Sequence, residues 1–234
     1  GTTGAQMHIC HFNSSSKADV ERCAVLIAKA QAQGLPITVE AYPYGTGSTV
    51  LAAAFFSDPE FEARNGLGYD SVQRVTDGRR FRDRKELLAA QAEEPSTLVL
   101  WHILDTENNP HHRDLLDISV LYPGGAIASD AMPWTRSDGR PYTGDAWPLP
   151  DDATSHPRSA GCFTRFIREW VRERKKLSLL EGVRKCALIP AEILSHSTPA
   201  MRAKGRLQVA ADADIVVFDF DALSDKATFS AMNR

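Results

Sequence analysis

Strand-like and helix-like stretches alternate four times along this chain, and that order constrains its fold more than any single motif. The first run, "QMHICHF", is short and apolar. It leads into "NSSSKADVERCAVLIAKAQAQG", where Ser16 is placed to cap a helix, Val20, Ala24 and Ile27 fall on one face, and Gly34 stops the turn. The second run, "PITVEAY", is β-branched. A long connection, mostly helical through "LAAAFF" and "DRKELLAAQAEE", reaches the third run, "STLVLWHIL". "DLLDISVLY" reads as a helix and "GAIASDA" as a fourth short strand. Such alternation predicts an α/β fold in which about four parallel strands are joined by crossover helices.

After the fourth strand a Pro-, Gly- and Asp-rich stretch runs from Met132 to Ser159, far beyond the usual connection of about 4–6 residues, so a functional or mobile loop is expected. "CFTRFIREWVRERKK" follows, with Phe163, Phe166, Ile167, Trp170 and Val171 at the spacing of a packed helix. Ser178 and Glu181 form a capping box for another helix, which ends before Pro190. The tail, "GRLQVAADADIVVFDF", turns to strands.

Composition narrows the class. The 234 residues are 43% hydrophobic and 24% charged, average for a globular chain with a sizeable core. No apolar run reaches the roughly 20 residues of a membrane-spanning helix, so no membrane partner is expected. A net charge of -3 and a pI near 6.2 speak against a nucleic-acid partner, because phosphate binding needs a concentrated basic patch. The one basic cluster, Arg172 to Lys176, ends a helix, where cations complement the dipole. Cys10, Cys23, Cys162 and Cys186 lie far apart, as in reduced cytoplasmic proteins. The opening "GTTGAQ" has no signal-peptide regions and no initiator Met, which suggests a processed, tagged or truncated start.

The residues able to do chemistry gather at the ends of the predicted strands, where α/β enzymes place their working loops. "AYPYGTGST" follows the second strand, with Tyr42, Tyr44 and Ser48 in it and Glu40 just before it. His8 and His11 flank the end of the first strand. Residues three apart point to opposite faces, so at most one faces a given site; His11, being last, is better placed. A hydrogen-bonded core histidine is the plain alternative. Asp130 ends the fourth strand, where an acid must be paired, metal-bound or capping a turn. Arg158, beside His156 in "SHPRSAG", suits either a bidentate grip on a carboxylate or an ordinary salt bridge. His102 reads as core, and His111 and His112 as exposed loop residues.

Taken in order, "HICHFNSSS", "EAYPYGTGST", "IASDAMP", "HPRSAGCFTRF", "PAEIL" and "KGRLQVAADADIVVFD" resemble the amidohydrolase superfamily, in its D-aminoacylase or N-acyl-D-amino-acid (D-glutamate) deacylase branch. The resemblance implies the C-terminal half of a (β/α)8 barrel over residues 1–202 and a segment of a small β-sandwich over 203–234. It implies metal-dependent hydrolysis of an N-acyl amino acid's amide bond, with His11 and Asp130 as metal ligands and Asp130 as the proton-transferring catalytic group. Arg158 would hold the substrate's α-carboxylate, with Tyr44, Ser48 and Tyr42 lining the pocket. Some relatives with two metals place a histidine where Tyr42 stands. A phenol with a pKa near 10 is a poor zinc ligand, so one zinc is expected rather than two.

The family's His-x-His pair occurs nowhere in this sequence. The expectation is therefore a truncated chain whose open strand edges pair in a homo-oligomer. The alternative is a catalytically inactive remnant acting as a binding or assembly module.

Overall fold

The computed structural model describes residues 3–146 and 148–234. The strands described are β1 (Met7–Ile9), β2 (Ile37–Ala41), β3 (Thr46–Val50), β4 (Val72–Arg74), β5 (Leu98–His102) and β6 (Ala126–Ile127). The α-helices are α1 (Phe12–Ser16), α2 (Val20–Ala32), α3 (Phe61–Asn65), α4 (Arg84–Glu93), α5 (Pro110–Val120), α6 (Arg158–Phe166), α7 (Leu179–Cys186) and α8 (Leu188–Leu194). They divide between two compact units. The first runs through Pro43 and takes in Asp114–Asp130 and Gly161–Asp225; the second takes Tyr44–Arg113, Ala131–Ala160 and Lys226–Arg234.

The first unit holds a parallel sheet in the order β1-β2-β6. Val39 and Ala41 are buried, while their neighbours Thr38 and Glu40 on the other face of β2 are half-buried. This two-residue alternation covers one sheet face and leaves the other to polar groups. Val20 and Ile27 of α2 are buried and Gly34, at φ +79°, follows the helix as expected. Ser16 does not cap α2: a 3-10 turn, Lys17–Asp19, lies between them, and neither Ser16 nor Asp19 makes a side-chain cap. Lys185, 1% exposed, donates from Nζ to the carbonyls of Tyr122 and Gly125 at 2.7 Å each, fixing the turn into β6.

The second unit holds an antiparallel sheet in the order β3-β5-β4. Here the expectation of about four parallel strands is corrected to three among the described residues. "LVLW" of β5 reads as a continuous apolar run because it is the central strand, covered on both faces; Phe55, Phe56 and Phe61 lie against Trp101 at 5.2–5.9 Å. A parallel strand buried on both faces would read the same way. The connection taken as mostly helical contains β3 and β4, and β3 is built from the small-residue run after the YPY motif. Gly45 is needed there because a Cβ would collide with the carbonyl of Leu104, whose N–H bonds Gly45 O at 2.9 Å.

Three further expectations change. His111 and His112 lie in the first turn of α5 and not in a loop; His111 is exposed, and His112 Nδ1 accepts from Asp105 N–H at 3.0 Å. The helix starting at Arg158 buries Phe166, Ile167, Trp170 and Val171 but leaves Phe163 44% exposed, and it widens into a π-helical segment over Ile167–Glu173. Ser178 does cap α7, accepting from Glu181 N–H at 3.2 Å, and α7 ends at Cys186, with Pro190 accommodated in the first turn of α8. The tail forms no strand among the described residues. Leu207, Val209, Ile215, Val216 and Val217 are 64–97% exposed, because a strand needs a ladder partner and none of the described segments supplies one.

Candidate functional site

β1 and β2 run side by side with His8 opposite Thr38 and Ile9 opposite Val39. Alternation sends His8 and Cys10 to the face that carries Thr38 and Glu40. The donor atoms of His8, Cys10 and Glu40 come within 4.8 Å of one another. His8 Nδ1 also meets Thr38 Oγ1 at 2.8 Å. The Cys10 thiol is pushed above its ordinary pKa, first by burial and then by the negative charges of Glu40 and Asp130. Asp130 therefore acts electrostatically on the same spot.

His11 leaves this face. At φ 37° and ψ 57° it is left-handed, and the chain turns there into α1. Its backbone N–H donates to Glu40 Oε1 at 2.7 Å. Its Nδ1 lies 3.1 Å from Ser14 Oγ and 2.9 Å from Ser15 Oγ, so Nε2 is the nitrogen left to meet a ligand. Asp130, with φ 47°, is left-handed as well and follows β6 closely; Ala128 N–H still bonds Ala41 O at 3.1 Å. A left-handed non-glycine costs about 1–3 kcal/mol and concentrates at functional positions. Two of the residues singled out in the sequence carry that strain at the C-terminal edge of one parallel sheet. Beside them a cleft of about 720 Å³ has His8, Thr38 and Glu40 on one side and Ile193, Leu194 and His196 on another.

Tyr42 is 1% exposed, and its carbonyl accepts from Asn13 Nδ2 at 3.1 Å, tying α1 to the end of β2. Three of the singled-out residues belong to the second unit. Tyr44 is buried edge-on against His156 at 5.2 Å. Ser48 Oγ donates to Val99 O at 2.9 Å, so its hydroxyl hydrogen is used within the sheet. Arg158 is 1% exposed, which removes the surface salt bridge as its role. Its N–H donates to His156 Nδ1 at 2.9 Å, while His156 Nε2 donates to Thr46 O at 2.9 Å. These two bonds fix His156 as the neutral Nε2-H form and make it an anchor for the start of α6. The loop before α6 is held by Ser155 and Ser159, whose hydroxyls donate to Met132 O at 3.0 and 3.1 Å; position 147 within it lies outside the described residues.

His8 with Glu40 was the pairing that sequence reasoning missed. The i, i+2 spacing of His8 and Cys10 signalled a shared face, but only the parallel register brings Glu40 to it.

A parallel sheet carries histidine and carboxylate at or just past its strand ends, with left-handed backbone at two of them. The chain belongs to the amidohydrolase family, whose model matches residues 3–232, and the relatives it resembles include N-acyl-D-amino-acid deacylases. It is 43% identical over 83 residues to an N-acyl-D-glutamate deacylase of Alcaligenes xylosoxydans xylosoxydans, a stretch covering 36% of this chain and 16% of that protein. It is 35% identical over 119 residues to an N-acyl-D-aspartate deacylase of the same organism, covering 49% and 22%. The fold matches that of an N-acyl-D-glutamate deacylase from Bordetella bronchiseptica, solved with zinc and a phosphonate mimic of the tetrahedral intermediate. The TM-score is 0.67 at 22% identity, over 100% of this chain and 44% of that one. The chain thus spans less than half the length of these relatives. Zinc takes imidazole, thiolate and carboxylate donors, and all three types stand at the ends of β1, β2 and β6.

Proposed function

We propose that this chain takes part in metal-dependent hydrolysis of the amide bond of N-acyl-D-amino acids, with acidic substrates such as N-acyl-D-glutamate first among them. The observation that carries this reading is the placement of His11, Glu40 and Asp130 just past, or at, the ends of three adjacent parallel strands, in a chain matched by deacylases. His11 Nε2 and the Asp130 carboxylate would hold a zinc ion, which when bound supplies Lewis acidity and a water of lowered pKa. One ion is inferred because Tyr42 stands where the resemblance puts a second-metal histidine.

Asp130 would take a proton from the attacking water and pass it to the leaving nitrogen. Glu40, by holding the N–H of His11, orients the imidazole. By the sequence resemblance alone, Arg158 would hold the substrate's α-carboxylate and Tyr44, Ser48 and Tyr42 would be pocket residues. The parallel sheet is read as part of a (β/α)8 barrel over 1–202 and the tail, 203–234, as part of a β-sandwich. The wide spacing of Cys10, Cys23, Cys162 and Cys186 along the sequence supports a reducing, cytoplasmic setting. No helix among the described residues is long and apolar enough to cross a membrane.

The test is release of free D-glutamate from its N-acyl derivative by the zinc-loaded chain, beside Asp130→Asn. The expected result is hydrolysis that falls by about 10²–10⁴ in kcat in the variant with KM little changed. Equal rates in both would remove Asp130 from the reaction. A folded, zinc-loaded chain with no hydrolysis would favour the second reading, a non-catalytic binding or assembly module.

A further inference from the structure

We propose that His8, Cys10 and Glu40 form a divalent-cation site of their own, suited to zinc or cobalt. Three kinds of donor, imidazole nitrogen, thiol sulfur and carboxylate oxygen, meet within 4.8 Å, close enough for one ion to bridge them. His8 lies on β1, Cys10 directly follows that strand's last residue, and Glu40 lies on the adjacent parallel strand β2, so the β1–β2 pairing brings the three donors together. None is locked into the core: His8 and Cys10 are exposed and Glu40 is half-buried, so an ion can enter and keep a water as fourth ligand. The charges also suit a cation. A bound thiolate with one carboxylate balances a 2+ ion, the thiol proton passing to solvent. Thiolate with imidazole selects borderline cations over magnesium or calcium. The site uses neither His11 nor Asp130, so it stands whether or not the chain is a deacylase.

Cobalt(II) titrated into the reduced, metal-free chain reads the site directly, because a thiolate ligand gives a charge-transfer band that oxygen and nitrogen ligands do not. The expected result is saturable binding with that band, displaced by zinc. Cys10→Ser should abolish the band, and His8→Ala should weaken cobalt binding by more than about tenfold, since even outer partners cost that much. Cys23→Ser, Cys186→Ser and His11→Asn should leave it unchanged, with circular dichroism showing every variant folded. The proposal is overturned if cobalt gives no thiolate band. It is equally overturned if the band survives Cys10→Ser, or if it follows His11 while ignoring His8.

Discussion

His102 shows how far a residue type can mislead and how its environment corrects it. Its Nδ1 lies 3.0 Å from Thr46 Oγ1 and its Nε2 2.7 Å from Gln73 Oε1, and burial, with the charge of Arg80 second, draws its pKa down to about 4 from an ordinary 6.5. Between those values the unfolded chain binds the proton and the folded chain does not. Stability is therefore full above about pH 6.5 and declines as pH falls toward 4. Urea midpoints across that window should fall less steeply in His102→Gln than in the parent chain, and identical slopes would contradict the assignment. His102 was legible as a core residue because it sits inside an apolar run. Asp130 was legible as a strand-end acid because it directly follows the short run "AIAS". His8 was not legible, because its partner Glu40 lies thirty-two residues away and only the strand register brings them together.

At the scale of elements, periodicity located α2, α4, α5, α6 and α7 but not the short α1, α3 and α8, and it could not say which strands pair. β5 and a buried parallel strand share one pattern, and the antiparallel sheet was hidden because β3 is made of Thr, Gly and Ser, residues that read as a loop. The π-helical segment was hidden too, since its apolar residues keep a helical spacing. Its place is set by Asp117 of α5, which accepts from Trp170 Nε1 at 2.8 Å and from Arg174 Nη1 at 2.6 Å. Asp117 is 8% exposed, so its loss strands a buried indole N–H and a guanidinium together. Asp117→Ala should cost about 3 kcal/mol in chemical denaturation; a change below about 0.5 kcal/mol would show that the ion pair does not hold the segment.

For the whole molecule, the apolar residues of the tail and the edges of the β1-β2-β6 sheet call for a cover. Leu207, Val209, Ile215, Val216 and Val217 make an exposed β-branched stretch of the kind that pairs with another chain. A homodimer or larger assembly is expected by light scattering at micromolar concentration, and a clean monomer there would contradict it. Family membership was legible because six short motifs keep one order through the chain; the two-unit division was not, because the chain enters the second unit between β2 and β6 without a break in its strand and helix rhythm. The central claim is that the strand ends of this chain assemble a metal site. Zinc measured by plasma emission on gel-filtered, refolded protein tests it most directly. At least one zinc ion per chain should survive filtration, and a folded chain that comes through free of zinc after incubation with the metal would contradict the account.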